Sequence, residues 1–217
     1  MGAKDRAMSD ETHPTIDPEG IVGVLLAGGL ARRMGGGDKC LVELGGETLL
    51  SRAIQRIQPQ LGATIINANG DASRFADYKL PVVADSVEGV AGPLAGVLAG
   101  MEWVSQNLPE KRWIVTLPTD APFFPQDLVH KLSQALVWDR ADLACAKSGG
   151  RAHPVFGLWP VALKDSLRHK LVEEEVRKVD IFTADYQMAV AEWPVGSLDP
   201  FLNINTTDEL AAAEQFL

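Results

Sequence analysis

Residues 20–39 read GIVGVLLAGGLARRMGGGDK, and the change of character inside this stretch decides the fold. Gly20–Ala27 is an unbroken apolar run that stops at Gly28-Gly29. An apolar run of this length without polar alternation is expected of a strand covered on both faces, as in the middle of a parallel sheet. The continuation is of the opposite kind. Gly28, Gly29, Gly35, Gly36 and Gly37 alternate with Arg32, Arg33 and Lys39, and Asp38 is the one acid among them. Glycine allows the main chain to turn tightly and approach a ligand. Successive N–H groups in such a loop form a nest for anions. A cation-bearing glycine loop at the carboxyl end of a buried strand therefore predicts a polyphosphate site, with a solvated surface loop as the plainer alternative. No Gly-Lys-Ser/Thr closes the loop, so it is not a Walker A element. The G-x-G-x-x-G spacing of dinucleotide folds is also missing.

Outward from this stretch the chain alternates between two periods. Glu47–Gln58 has helical apolar spacing, Thr64–Ala68 and Leu80–Ala84 read as short strands, and Leu94–Trp103 reads as a helix of small residues. Trp113–Leu117 is an expected strand and Gln126–Val137 an expected helix. Leu143–Ala146 and Pro154–Trp159 are expected strands, Val161–Arg168 looks helical, and a last helix is expected at Thr207–Phe216, capped by Thr206 or Thr207. Strands alternating with helices imply an α/β protein, a Rossmann-like three-layer sandwich around a mostly parallel central sheet. The second half is less regular, and some antiparallel pairing is expected there.

The chain has 217 residues, 46% of them hydrophobic and 23% charged, which is the composition of an ordinary globular protein. Residues 1–19 are polar, carry no apolar signal segment and read as a flexible tail; residues 20–217 read as one domain. Positions from about 20 to 125 and from about 126 to 217 read as its two halves. The net charge of −9 argues against nucleic-acid binding, and no apolar run approaches the length of a membrane span. Two cysteines far apart, Cys40 and Cys145, match no metal-ligand spacing and fit a reducing, cytoplasmic setting.

Ligands of open α/β sheets bind beyond the carboxyl ends of the strands. Four expected strands end at suitable positions: Gly28, Asn67, Asp85, and Leu117-Pro118 running on to Asp120. Asn and Asp can read the edge of a base or a ribose. Asp120, after an apolar strand and near the phosphate loop, is the metal candidate, because Mg²⁺ takes one or two carboxylates together with substrate phosphates. A turn or helix cap is an equal alternative for Asp120, and an Asx turn or N-cap for Asp85. Cys40, beside Lys39, reads either as a thiol activated by nearby cations or, more simply, as a small loop residue.

The string Leu26-Ala27-Gly28-Gly29, with Arg33-Met34-Gly35 and Asp38-Lys39 after it, resembles the signature of the MobA-like nucleotidyltransferases. Gly92-Pro93-Leu94-Ala95-Gly96 and Asn203-Ile204-Asn205 resemble two further elements of that family, so the likeness runs from about Gly20 to the end of the chain. The resemblance implies a nucleotidyltransferase fold. It implies transfer of GMP from GTP to the phosphate of Mo-molybdopterin, forming molybdopterin guanine dinucleotide and pyrophosphate. Leu26, Ala27, Gly28, Gly29, Lys39, Asn67, Asp85 and Asp120 fall on its nucleotide-binding positions. Arg33, Lys39 and Asp120 fall on catalytic ones, with Asp120 holding Mg²⁺. Gly28-Gly29 and Gly92-Pro93 match the guanylyl-transferring branch rather than the cytidylyl-transferring one.

The acceptor region is implied at Lys178, Asn203 and Asn205, with Arg177 and His153 equally readable as a solvated charge and a turn histidine. The resemblance further implies a cytoplasmic route to guanine-dinucleotide cofactors, with the nucleotide in about 20–125 and the acceptor in about 126–217; a monomer is expected, with self-association through exposed apolar residues as the alternative, and molybdoenzyme maturation proteins are candidate transient partners. A cytidylyl or sugar-phosphate nucleotidyltransferase, or a GTP-binding module without chemistry, are the alternatives.

Overall fold

In the computed structural model, residues 15–29, 36–89 and 92–217 are described. Nine strands and six α-helices lie among them: β1 (Ile21–Leu26), β2 (Glu43–Leu44), β3 (Glu47–Thr48), α1 (Leu49–Ile57), β4 (Ala63–Asn67), β5 (Val82–Val83), α2 (Pro93–Asn107), β6 (Trp113–Pro118), α3 (Leu128–Asp139), β7 (Leu143–Ser148), β8 (Arg151–Pro160), α4 (Lys164–Val172), α5 (Val179–Thr183), β9 (Met188–Trp193) and α6 (Thr207–Ala213). Seven strands form one sheet in the order β5-β4-β1-β6-β8-β7-β9. All neighbours pair in parallel except β8, which is antiparallel to both β6 and β7. The protein is thus the expected Rossmann-like α/β sandwich.

Strand β1 organises both layers of the core. Ile21 and Leu25 point to one face with Leu50, Ile57, Leu128 and Leu132 of α1 and α3. Val22 and Val24 point to the other, with Leu94, Val97, Leu167 and Phe182 of α2, α4 and α5. Those four β1 residues are wholly buried. Each contributes about 1.5–3 kcal/mol by leaving water, so the run that reads as a central strand is the keel of the sheet. Local signals set the helix starts. Thr48 Oγ1 accepts from Ser51 N at 3.0 Å and caps α1, a bond typically worth about 1 kcal/mol. Gly92 and Pro93 open α2, with proline where its missing N–H costs nothing. Thr206 and Glu209 form a reciprocal capping box on α6.

Several elements differ from the expectation. The strand at 80–84 shrinks to Val82–Val83, and α2 runs on to Asn107. Helix α3 begins at Leu128, after Asp127, and not at Gln126. The strands at 143–146 and 154–159 are one hairpin, β7–β8, turned by Gly149 and Gly150, both at positive φ. The pairing jumps from Cys145↔Gly157 to Ala146↔His153, so Pro154–Phe156 bulge out of register. Proline has no N–H for a ladder and is tolerated in such a bulge. The small β2–β3 hairpin, α5 and the edge strand β9 were not expected. Of the expected tail, Pro18–Gly20 already forms a 3₁₀ turn capped by Asp17, and residues 1–14 lie outside the described residues. Among the described residues no helix is long and apolar enough to cross a membrane.

Candidate functional site

β1, β4, β6, β7 and β9 all run the same way, so their carboxyl ends share one rim of the sheet. The chain leaves β1 toward β4 on one side and later returns to β6 on the other. This is the switch point where open α/β sheets bind ligands. A cleft of about 750 Å³ opens there, lined by Leu26, Gly28, Gly29, Asn67, Asp85 and Gly92 among others. Its size suits a small-molecule site.

The floor of the cleft is knitted from main chain. Ala27 N donates to Asn67 O at 2.9 Å, joining the ends of β1 and β4. Thr119 Oγ1 donates to Leu26 O at 3.2 Å, joining β1 to the turn after β6. Among the described residues, a side chain at Gly28 would meet no atom within 4 Å, and the backbone there has no left-handed twist. The fold itself therefore has no need of glycine at 28; a ligand lying against the main chain would.

One wall of the cleft is a polar triad. Asn67 Nδ2 donates to Asp85 Oδ1 at 2.9 Å, and Asn69 Nδ2 donates to Asp85 Oδ2 at 2.7 Å. Asp85 N returns a bond to Asn69 Oδ1 at 2.8 Å. Asp85 is thus held by two amides and caps no helix.

The charged group lies beyond Gly29. Lys39 N donates to Gly29 O at 3.1 Å, so the glycine loop leaves and returns at one point. Lys39 Nζ sits 2.5 Å from Asp120 Oδ2 and donates to Asn205 Oδ1 at 2.7 Å. Asp120 Oδ1 is buried and has no hydrogen-bond partner among the described residues. Ile204 N donates to Asp120 O at 2.7 Å, which straps the segment before α6 to the Asp120 turn. Lys39 and Asp120 do not line the 750 Å³ cleft. The rim thus has two compartments, a polar cleft and a charged cluster, joined through Gly29.

This arrangement has relatives. The profile of the MobA-like NTP transferase domain matches residues 23–186. The chain belongs to the MobA-like NTP transferase family. A protein of Rhodopseudomonas palustris (strain HaA2) named molybdenum cofactor guanylyltransferase is 54% identical over 198 residues, covering 91% of this chain and 92% of that protein. One of the same name from Bradyrhizobium sp. (strain ORS 278) is 53% identical over 195 residues, 90% of this chain and 92% of the relative. The crystal structure of molybdopterin-guanine dinucleotide biosynthesis protein A from Archaeoglobus fulgidus superimposes with a TM-score of 0.70 over 90% of this chain and 97% of its own, at 22% identity. That match shows the shared fold.

The other expected residues of this MobA-like transferase fall into three groups. Asn205 lies with Lys39 and Asp120 rather than in a separate acceptor pocket, and Asn203 is exposed, its carbonyl 3.4 Å from Asn205 Nδ2. Arg177 is committed to the main chain, donating to Leu171 O at 2.5 Å, which leaves Lys178 as the exposed cation ahead of α5. The carbonyl of Arg177, the residue before Lys178, approaches Gly92 of the cleft. Arg33 lies outside the described residues.

His153 stacks on Phe201 with ring centroids 4.9 Å apart, and its Nε2 is 2.8 Å from Ser148 Oγ. Ser148 in turn donates to Asp199 Oδ1 at 2.7 Å. Its hydroxyl proton is therefore spent on Asp199, and the bond from His153 comes from Nε2–H. This is a packing network, and burial lowers the His153 pKa. Cys40 is buried, and that burial, aided by Asp38, pushes its thiol up to about 12. It is the inert small residue, not an activated thiol.

Sequence reasoning passed over Thr119, Ser148, Asp199 and Arg74. Asn69 carried a signal, since alternate positions of an extended chain share a face and Asn69 follows Asn67 by two.

Proposed function

We propose that this chain transfers GMP from GTP to the terminal phosphate of Mo-molybdopterin, releasing pyrophosphate. The observation that carries this reading is identity above 50%, over nine-tenths of the chain, to relatives named molybdenum cofactor guanylyltransferase. The geometry supplies a matching chemistry. A phosphate monoester with a second pKa of about 6 is already mostly dianionic at neutral pH, so the attack needs no general base. The barrier is the approach of one anion to another, and positioning with charge neutralisation lowers it. Lys39, and Arg33 six positions before it in the sequence, would carry the charge of the α-phosphate and the departing pyrophosphate.

The buried, unpartnered Asp120 Oδ1 is the kind of oxygen a divalent cation would take, and we assign it to Mg²⁺. No cluster of three or more His, Cys, Asp or Glu able to hold a metal occurs among the described residues. Phosphate oxygens and water would therefore complete its shell, as is usual for Mg²⁺. Bound there, the ion would neutralise phosphate charge.

The polar cleft with Asn67 and Asp85 would hold the nucleoside. Lys178 and Asn203 would face the pterin, and Asn205, through Lys39, would link the two substrates. Residues 20–217 would act as one unit, because a single sheet spans both halves. The chain would act as a monomer. Two buried free thiols support a reducing cytoplasm. The product would pass by transient contact to molybdoenzyme maturation proteins.

The test is pyrophosphate release with Mg²⁺ and Mo-molybdopterin, comparing GTP with CTP, ATP and UTP. Release with GTP alone is expected. Release with CTP would move the chain to cytidylyl transfer. No release by a preparation that binds GTP would overturn the catalytic reading.

A further inference from the structure

Arg74 joins the two compartments of the rim, although it lies in neither the glycine loop nor a strand end. Its Nε is 2.8 Å from Asp38 Oδ2, an ion pair whose angle is not that of an aligned hydrogen bond. Its Nη2 donates to Asn69 O at 2.5 Å. The guanidinium also sits over the ring of buried Phe75, 4.8 Å from its centroid. A planar fork anchored on two oxygens and a ring face has little freedom left.

Asp38 is the partner that needs explaining. It precedes the 3₁₀ turn Lys39–Leu41 but makes no capping bond with its side chain. It is the acid of a loop whose other charges are Arg32, Arg33 and Lys39. Its neighbour Lys39 returns to Gly29, which lines the cleft. A polyphosphate entering this loop would meet an uncompensated carboxylate if Asp38 stood free. Like charges at this range oppose binding unless a counter-charge is fixed between them and solvent.

We propose that Arg74 is a positioning residue of the nucleotide site: it holds and neutralises the Asp38 carboxylate, so that this one acid of the phosphate loop does not oppose the phosphates of a nucleoside triphosphate. Its bond to Asn69 O makes the same side chain a brace between that loop and the Asn69–Asp85 wall. This rests on the reading of the cleft and loop as a nucleoside triphosphate site.

The test is calorimetric titration of Mg²⁺–GTP into the full chain, at low and high salt, for the wild type, Arg74→Ala, Arg74→Gln, Asp38→Asn and the Arg74→Ala/Asp38→Asn double variant. Arg74→Ala is expected to weaken GTP about tenfold at low salt. That loss should shrink as the Debye length falls from about 10 Å toward 3 Å. Asp38→Asn alone should stay within about twofold of the wild type, and the double variant should recover to within about threefold. Arg74→Gln keeps a donor for Asn69 O but carries no charge, and should be as weak as Arg74→Ala; it also serves if the alanine variant does not fold. A double variant as weak as Arg74→Ala would mean that Arg74 acts on the phosphates or on Asn69 alone, and would overturn the proposal. So would a wild-type affinity for Arg74→Gln. Absence of GTP binding by the wild type would instead overturn the nucleotide reading, and the proposal with it.

Discussion

A Cβ built on Gly96 would lie 2.2 Å from Asn67 Oδ1 and 2.6 Å from Leu26 Cδ2. Helix α2 is seated on the ends of β1 and β4 with no space for a side chain at that point. Alanine is intrinsically better than glycine in a helix by about 1 kcal/mol, while overpacking costs about 1–3 kcal/mol. Asn67 is tied to Asp85 and to Val83 O and cannot step aside without losing those bonds, so the overpacking should prevail. Gly96→Ala is expected to lower Tm by a few degrees and to weaken GTP binding together with it. An unchanged melt and an unchanged titration would show that the contact relaxes freely.

Gly28 is the converse case. None of the described residues stands where its side chain would be. Gly→Ala at a compatible position stabilises by about 0.4–1 kcal/mol through the unfolded chain. Gly28→Ala should melt at the same temperature or slightly higher, yet bind GTP at least about tenfold more weakly, the scale of one badly placed contact in a filled site. Wild-type affinity would mean that no ligand lies against this stretch of main chain.

Lys39 and Asp120 are expected to act as a unit. Lys39→Met and Asp120→Asn should each lower kcat for pyrophosphate release by about 10²–10³, the range for losing one preorganised charge-stabilising group. The double variant should lose little more than either alone, because each residue positions the other. Losses that multiply would indicate independent roles.

The pH dependence of stability should carry the mark of His153. Burial holds its pKa below the ordinary 6.5. Above that value both folded and unfolded chains carry it neutral, and it contributes no slope. As pH falls through 6.5 the unfolded chain takes up a proton that the folded chain resists, so stability declines. Urea midpoints measured from about pH 7.5 to 5.5 should fall less steeply for His153→Gln than for the wild type. Parallel curves would place the acid sensitivity elsewhere.

Much of this was legible in the sequence because the strongest signals coincide with the site. Strands β1, β4 and β6 are apolar runs buried on both faces, and they deliver Gly28, Asn67 and Asp120 to one rim. Strand β9 was harder to see. Met188–Trp193 reads MAVAEW, an edge strand whose burial alternates but whose polarity does not, since Val190 is apolar and exposed. The β7–β8 hairpin was read as two separate strands because Pro154 looks like a strand start, whereas it sits in a bulge beyond the Gly149-Gly150 turn. Contacts that cross the chain leave no local trace. Lys39 meets Asn205 across 166 positions, and Arg74 meets Asp38 because the 3₁₀ segment Ala72–Tyr78 brings it there.

The single reversed strand, β8, has an evolutionary corollary. Because it runs against its neighbours, the chain crosses the acceptor side of the rim as a tight turn rather than as a long strand-to-helix connection. Turns tolerate insertion without disturbing the ladder behind them. The Gly149-Gly150 turn between Ser148 and Arg151 is therefore a place where the chain can lengthen while the strand ends of β1, β4 and β6 stay untouched.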